Sequence, residues 1–246
     1  IKLFFIFFSK KEKGLIVSRS VLSAIVLSTI CKNIILEIHH ELNGFSKYLF
    51  EIVRYFTFFK KVKFIFITNS LSKKYNLKNF NFIVLDDAVD LEDYNFKNSR
   101  RKKFTNTCVY CGSFARGKGV ENILKIASFT KKINFDLYGD FANSNFDKNY
   151  FNNFSNVFYK GYIQYNKIPK VLNKYKVLLL PYSRKVYVRS KNIEVGKYMS
   201  PMKLFDYLAS KRIILASDLA VYRHILTKKN SILINPNSPK KWASQI

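Results

Sequence analysis

Residues 196–218 read GKYMSPMKLFDYLASKRIILASD: a polar lead-in, a short amphipathic helix and a buried strand. Ser200 and Pro201 suit the N-cap and first helical positions, because a serine oxygen accepts an orphan backbone N–H and proline has no N–H to lose. Leu204, Phe205 and Leu208 recur at helical spacing and face a core, while Lys203, Asp206 and Tyr207 fall wholly or partly outside that stripe. Ile213 to Ala216 has the length and composition of a strand covered on both faces. Open N–H groups at a helix start, with Lys203 in the first turn and a carboxylate one turn further, make a place for a phosphorylated ligand.

Working upstream, a strand is expected over 107–111, then the turn Gly112-Ser-Phe-Ala-Arg116-Gly117-Lys118-Gly119, then a helix over 120–132. A glycine-rich turn between strand and helix lets backbone N–H groups approach phosphate oxygens, and Arg116 and Lys118 add charge there. The spacing G-x-x-x-x-G-K also fits an ATPase phosphate loop, but Gly119 stands where that motif needs a Ser or Thr hydroxyl. Strands at 135–138, 157–159 and 177–181 follow, with a short helix at 169–175. Next come a long polar loop at 182–198 carrying Arg184, Lys185, Arg189, Lys191 and Lys197, a helix at 219–226, a strand at 231–234 and a helix from 239. Strands alternating with helices at this spacing predict a doubly wound parallel sheet, a Rossmann-like domain.

The amino-terminal part repeats the pattern. A strand is expected over 2–8, a Ser20-capped helix over 20–30, and a strand over 34–38 that delivers His39, His40 and Glu41 at its carboxyl end, where open α/β sheets bind ligands. A helix at 46–59, a strand at 64–68, a helix at 69–75 and a strand at 82–85 complete it. Residues 96–106, with the basic run Arg100 to Lys103, read as a solvated linker, so the expected division is 1–95, linker, 107–246. The chain opens at Ile1 in mid-strand and stops at Ile246 inside a helix, with no initiator Met and no signal peptide, the pattern expected of a fragment.

Composition limits the partners. Of 246 residues 48% are hydrophobic and 24% charged, a folded and not a disordered balance. A net charge of +27 draws the chain toward polyanions: nucleic acid, an anionic membrane surface or phosphorylated substrates. No zinc finger, RRM consensus or basic zipper accompanies the charge, and no nucleic acid is expected. No segment reaches the ~20 apolar residues of a membrane span, so peripheral attachment is the expected mode. Cys108 and Cys111 share a C-x-x-C spacing inside a strand, which puts them ~10 Å apart at ~3.3 Å per residue and on opposite faces. With Cys31 they read as core thiols of a reducing cytoplasm, and no metal site is expected.

The stretch from Ser200 to Ser210 followed by a buried strand, together with the Gly112–Gly119 turn, resembles the donor-binding segments of retaining glycosyltransferases of the GT-B fold, family 4. The resemblance implies two Rossmann-like domains facing a cleft, the first incomplete at its start and lacking the family's glycine-rich loop. It implies a cytoplasmic enzyme that moves a sugar from a nucleotide-diphosphate donor, a UDP- or GDP-sugar, to a hydroxyl of a glycan or lipid-linked acceptor, with no separate cofactor. Surface polysaccharide or lipopolysaccharide synthesis at the inner face of a bacterial membrane is the implied setting. By position, Arg116 and Lys118 clasp the diphosphate with Gly112, Ser200, Pro201, Met202 and Lys203, Asp206 holds the ribose hydroxyls, and Tyr162 and Ile163 pack on the base. His39 matches a histidine near the donor sugar and joins Arg116 and Lys118 as a catalytic candidate. The family's two acidic residues separated by seven others are here Tyr198 and Asp206, so the resemblance leaves three readings: Tyr198 takes the sugar-side contact, Glu194 takes it, or the enzyme is altered in donor choice. The alternative is a basic module without chemistry that binds anionic membrane or nucleic acid. A nucleotide-sugar epimerase is disfavoured by the absence of G-x-G-x-x-G.

Overall fold

The computed structural model describes residues 14–56, 59–95, 106–142, 144–187 and 194–246. The chain divides into two compact units, Ile1–Asp86 and Asp87–Ile246. The expected strand over 2–8, most of the expected linker, and Arg189 and Lys191 lie outside the described residues.

Among the described residues of the first unit four parallel strands lie in chain order: β1 (Ile16–Ser18), β2 (Ile34–Ile38), β3 (Lys63–Phe66) and β4 (Phe82–Val84). β1 is a strand the sequence reading does not separate, since three residues are too few to show a period. Helix α1 (Val21–Ser28) starts as expected at Ser20, whose hydroxyl accepts the Ser23 N–H. Helix α2 (Gly44–Val53) begins before and ends short of the expected 46–59, and a 3-10 turn occupies Phe59–Lys61. Helix α3 (Asn69–Tyr75) is capped by Thr68. The many phenylalanines fill this core: Phe50 meets Phe59, Phe64 and Tyr75 edge to face at 5.4–6.1 Å between ring centroids.

The second unit holds six parallel strands: β5 (Thr107–Cys111), β6 (Asn134–Tyr138), β7 (Val157–Tyr159), β8 (Val177–Leu180), β9 (Ile213–Ser217) and β10 (Ile232–Ile234). Their order across the sheet is β7-β6-β5-β8-β9-β10. This is the doubly wound arrangement, and it reverses direction between β5 and β8. The two-residue period of a strand assigns the core directly. Val109, Cys111, Leu178, Leu180, Ile214 and Ala216 pack on one face, with residues of α5 (Ile168–Leu172) and α6 (Met202–Ala209). Cys108, Tyr110, Leu179 and Leu215 pack on the other, with α4 (Val120–Phe129) and Trp242 of α7 (Pro239–Gln245). Cys108 and Cys111 are therefore buried in opposite halves of the core as free thiols, each pushed up to about 12 by burial.

Several expectations differ from the structure. The helix over 219–226 is only a 3-10 turn at Ala220–Tyr222, where Tyr222 is held by its hydroxyl on the Ser217 carbonyl (2.7 Å). The cap of α6 is Pro201, not Ser200: Pro201 has extended backbone (φ −81°, ψ 110°), and the Ser200 hydroxyl accepts the N–H of Asp87 instead (3.3 Å). Residues 87–95, counted above with the first domain, belong by their contacts to the second unit. Among the described residues no helix is long and apolar enough to cross a membrane.

Candidate functional site

The reversal between β5 and β8 opens a crevice at the carboxyl ends of those strands, and the second unit has a cavity of about 360 Å³ there. Three segments build its wall: Cys111 to Ser113 with Lys118 after β5, Tyr182 with Val186 and Tyr187 after β8, and Met199 to Lys203 with Asp206 and Tyr207 around the start of α6. Tyr165 and Ile168 close one side.

The Gly-rich turn is held from both ends. Phe114, fully buried, anchors it among Phe141, Phe151 and Tyr159 at 5.0–5.8 Å between centroids. Its far end is stitched to the segment after β8: the Ser183 N–H donates to the Gly117 carbonyl (2.9 Å), the Tyr187 N–H to the Arg116 carbonyl (3.2 Å), and the Asn122 amide to the Pro181 carbonyl (2.8 Å). Gly119 has φ +107°, and a Cβ there would lie 2.4 Å from the Pro181 oxygen, so the turn takes this path only with glycine.

Lys203 is the centre of the site. Its Nζ is buried without a hydrogen-bond partner, 3.6 Å from the ring centroid of Tyr110 and 5.1 Å from that of Tyr182. It occupies the space a side chain at Gly112 would need. Burial first, and the like charge of Lys118 second, hold the ammonium well below the usual lysine range. The N–H groups of Met202 and Lys203 add to this positive corner, since the first N–H groups of a helix have no partner within it. Two lysines and a helix start around a void are a site for an anion with several oxygens.

Asp206 and Tyr207, expected at the edge of the apolar stripe, are buried at 3% and 0% exposure. The Tyr207 hydroxyl accepts the Cys111 N–H (3.1 Å), tying α6 to β5. Asp206 Oδ1 accepts the Tyr94 hydroxyl (2.6 Å), and the Tyr165 phenol, which lines the cavity with Asp206, acts with it to hold the carboxyl down. Burial raises the carboxyl above its ordinary value, opposed by those two tyrosines and by Lys203.

Of the residues singled out from sequence, the cavity gathers Gly112, Lys118, Ser200, Pro201, Met202, Lys203 and Asp206. Arg116, Tyr162, Ile163, Tyr198 and Glu194 are not among the described residues that line it. Arg116 is exposed and lays its guanidinium 4.9 Å from the centroid of Tyr187, which does line it. Tyr162 is 69% exposed, and Ile163 packs on the core. Tyr198 donates its N–H to the Val195 carbonyl (2.9 Å), and Glu194 bridges to Tyr187. His39 belongs to the first unit, where it follows β2 with Nε2 3.0 Å from Glu37 Oε1. Burial acts to raise the Glu37 carboxyl, but Arg19 and His39 together hold it below its ordinary value. Tyr94, Tyr110, Tyr165 and Tyr182 escape sequence reading. Only the place of Tyr182 directly after a switch-point strand could have flagged one of them.

The family model described as Glycosyl transferases group 1 matches residues 105–246, more than half of the chain and all of the cavity. The chain belongs to this family. No curated protein matches the group 1 glycosyl transferase chain. Among solved structures it is similar to a mutant of TarM from S. aureus in complex with Fondaparinux, alpha-GlcNAc-glycerol and UDP, with TM-score 0.59 and 18% identity over 89% of this chain and 44% of that one. It is similar to Anabaena Alr3699/HepE in complex with UDP and glucose, with TM-score 0.62 and 12% identity over 94% and 66%. Sucrose-phosphate synthase from Thermosynechococcus elongatus matches with TM-score 0.68 and 12% identity over 99% and 66%. These likenesses show the fold, GT-B with two parallel-sheet α/β domains. The chain spans 44% of the TarM mutant and 42% of a further TarM crystal structure, which it matches with TM-score 0.57 and 18% identity.

Proposed function

We propose that this group 1 glycosyl transferase takes a nucleotide-diphosphate sugar as donor and moves the sugar, with retention of anomeric configuration, to a hydroxyl of a glycan or lipid-linked acceptor. The observation that carries the reading is Lys203, an ammonium buried without a hydrogen-bond partner at a helix start and paired with Lys118 across the wall of one cavity. The leaving group of such a transfer is a nucleoside diphosphate, so the main task is to stabilise charge growing on its phosphates. Lys203, Lys118 and the N–H groups at the start of α6 do this as fixed dipoles and charges in a water-poor pocket, an arrangement worth several kcal/mol, about 3 per well-placed donor. Gly112 leaves room for the lysine, and Arg116 adds long-range positive charge from outside the cavity wall. Asp206 accepts the ribose hydroxyls.

UDP is the first candidate for the nucleotide, since HepE and the TarM mutant are described with UDP, and a GDP-sugar is the other. The donor is a substrate, and the scheme needs no separate cofactor. His39 is retained as a catalytic residue because it follows the carboxyl end of β2 and is held by Glu37. For function the division 1–95, linker, 107–246 is proposed as acceptor and donor halves, with residues 87–95 packing on the donor half. A net charge of +27 favours a cytoplasmic enzyme resting on an anionic membrane, in surface polysaccharide or lipopolysaccharide assembly.

The test is calorimetric titration of UDP, GDP and ADP into the wild type and into Lys118→Ala. Saturable binding of one nucleotide, weakened in the variant, is expected. A folded chain that binds none of them, or binds all equally with steep salt dependence, contradicts the proposal and favours the basic-module alternative.

A further inference from the structure

Asp206 sits on α6 one turn beyond Lys203, and at 3% exposure its carboxylate has little access to water. A buried carboxylate stays ionised only if donors reach it. Here the donor is Tyr94, and Tyr165 stands near the same carboxylate. Tyr165 lines the cavity with Asp206, whereas Tyr94 is not among the described lining residues and donates to Oδ1 at 2.6 Å. Tyr94 comes from the 3-10 turn Glu92–Tyr94, whose first N–H, that of Glu92, donates to Asp90 Oδ1 (2.9 Å). The same segment begins at Asp87, whose N–H is held by the Ser200 hydroxyl. Residues 87–94 thus brace α6 twice, at its lead-in and at its carboxylate. Burial, and then the bond to Asp206, drive the Tyr94 phenol far above its ordinary value, so it remains a proton donor at any working pH.

We infer that Tyr94 is a positioning residue for a vicinal diol. It fixes Asp206 through one oxygen so that the remaining lone pairs, with the Tyr165 hydroxyl beside them, face the cavity and accept the two ribose hydroxyls of the nucleotide. A carboxylate offers about four lone-pair sites, and the Tyr94 donor leaves about three, enough for a diol. The inference rests on the donor-site reading above and adds to it the two tyrosines and the 87–94 brace.

The test compares UDP with 2′,3′-dideoxy-UDP, which keeps the base and the phosphates and lacks the diol, in the wild type and in Tyr94→Phe. The ratio of the two dissociation constants within one protein sample is independent of the folded fraction, so partial unfolding of the variant does not mimic the effect. The expected result is a wild type that prefers UDP, and a Tyr94→Phe variant that binds UDP about fivefold more weakly with dideoxy-UDP unchanged, in keeping with a charged hydrogen bond loosened and not removed. Tyr165→Phe is expected to lower the same ratio. An unchanged ratio in Tyr94→Phe, or tighter UDP binding, overturns the inference while leaving the donor site intact; tighter binding would make Tyr94 a competitor for the diol. A folded wild type that binds neither UDP, GDP nor ADP overturns the donor reading and this inference with it.

Discussion

Replacing Lys203 by methionine should stabilise the protein and impair it at once. The ammonium has no hydrogen-bond partner, has Lys118 as a like-charged neighbour, and is enclosed by the rings of Tyr110 and Tyr182 at 3.6 and 5.1 Å. Burying such an ion costs several kcal/mol, about 4 after relaxation. Two cation–π contacts return about 2 kcal/mol of it. Methionine keeps an unbranched apolar stem of similar length, so about 2 kcal/mol is recovered. For a chain of this length that is a rise in Tm of about 4–8 °C. The sign with pH follows from the depressed lysine. Stability is fully present above the unfolded value of about 10.4 and is lost as the pH falls through the folded value, so the advantage of methionine shrinks toward about pH 10. The lost contact with a phosphate costs about 1.5–3 kcal/mol, or ~10- to 100-fold in UDP affinity. Scanning calorimetry and UDP titration at pH 7.5 measure both. A lower Tm with unchanged UDP affinity would refute the reasoning, because the ammonium would then be a structural group.

Asp206→Asn should behave in the same divided way, with a different pH window. The carboxyl is raised in the fold, so the wild type is at its best below the unfolded value of about 3.9 and loses stability as the pH rises through the folded value. The variant is therefore expected to melt higher than the wild type at pH 7 and equally at pH 3, while binding UDP more weakly; equal melting at both would show that the buried charge costs nothing. Gly119→Ala and Gly161→Ala separate backbone strain from steric clash. Both have positive φ, but a Cβ at Gly119 meets the Pro181 oxygen at 2.4 Å and one at Gly161 meets nothing within 4 Å. Urea denaturation should find about 1 kcal/mol lost at Gly161 and more than about 2 at Gly119, and equal losses would argue against a tight junction between the two loops.

The phosphate corner was legible in the sequence because its parts are local. Gly112 to Gly119 is one turn between a strand and a helix, and Lys203 and Asp206 lie on one short helix, so glycine spacing and helical periodicity speak for them directly. The strands of the second unit follow from continuous apolar runs, and their alternation with helices gives the parallel sheet. What the pattern could not carry was contact at long range. Tyr94 and Asp206 are 112 residues apart, and Tyr207 reaches Cys111 across 96. The same limit explains the cap of α6. Ser200 has the composition of an N-cap, but the Asp87 N–H takes its hydroxyl, and a proline in extended backbone holds the cap position. The family resemblance points to Tyr162 and Ile163, whereas Tyr165 and Ile168, three and five residues beyond, line the cavity. The helix over 219–226 gives way to a 3-10 turn because the Tyr222 hydroxyl closes back on Ser217.

The most direct test of the central claim is a crystal structure of the chain grown with saturating UDP. The account predicts the diphosphate over the start of α6, with oxygens within hydrogen-bond distance of Lys203 Nζ and Lys118 Nζ and the ribose hydroxyls on Asp206. UDP bound elsewhere on the chain, or a cavity that stays empty while the crystals hold UDP at saturating concentration, would contradict it.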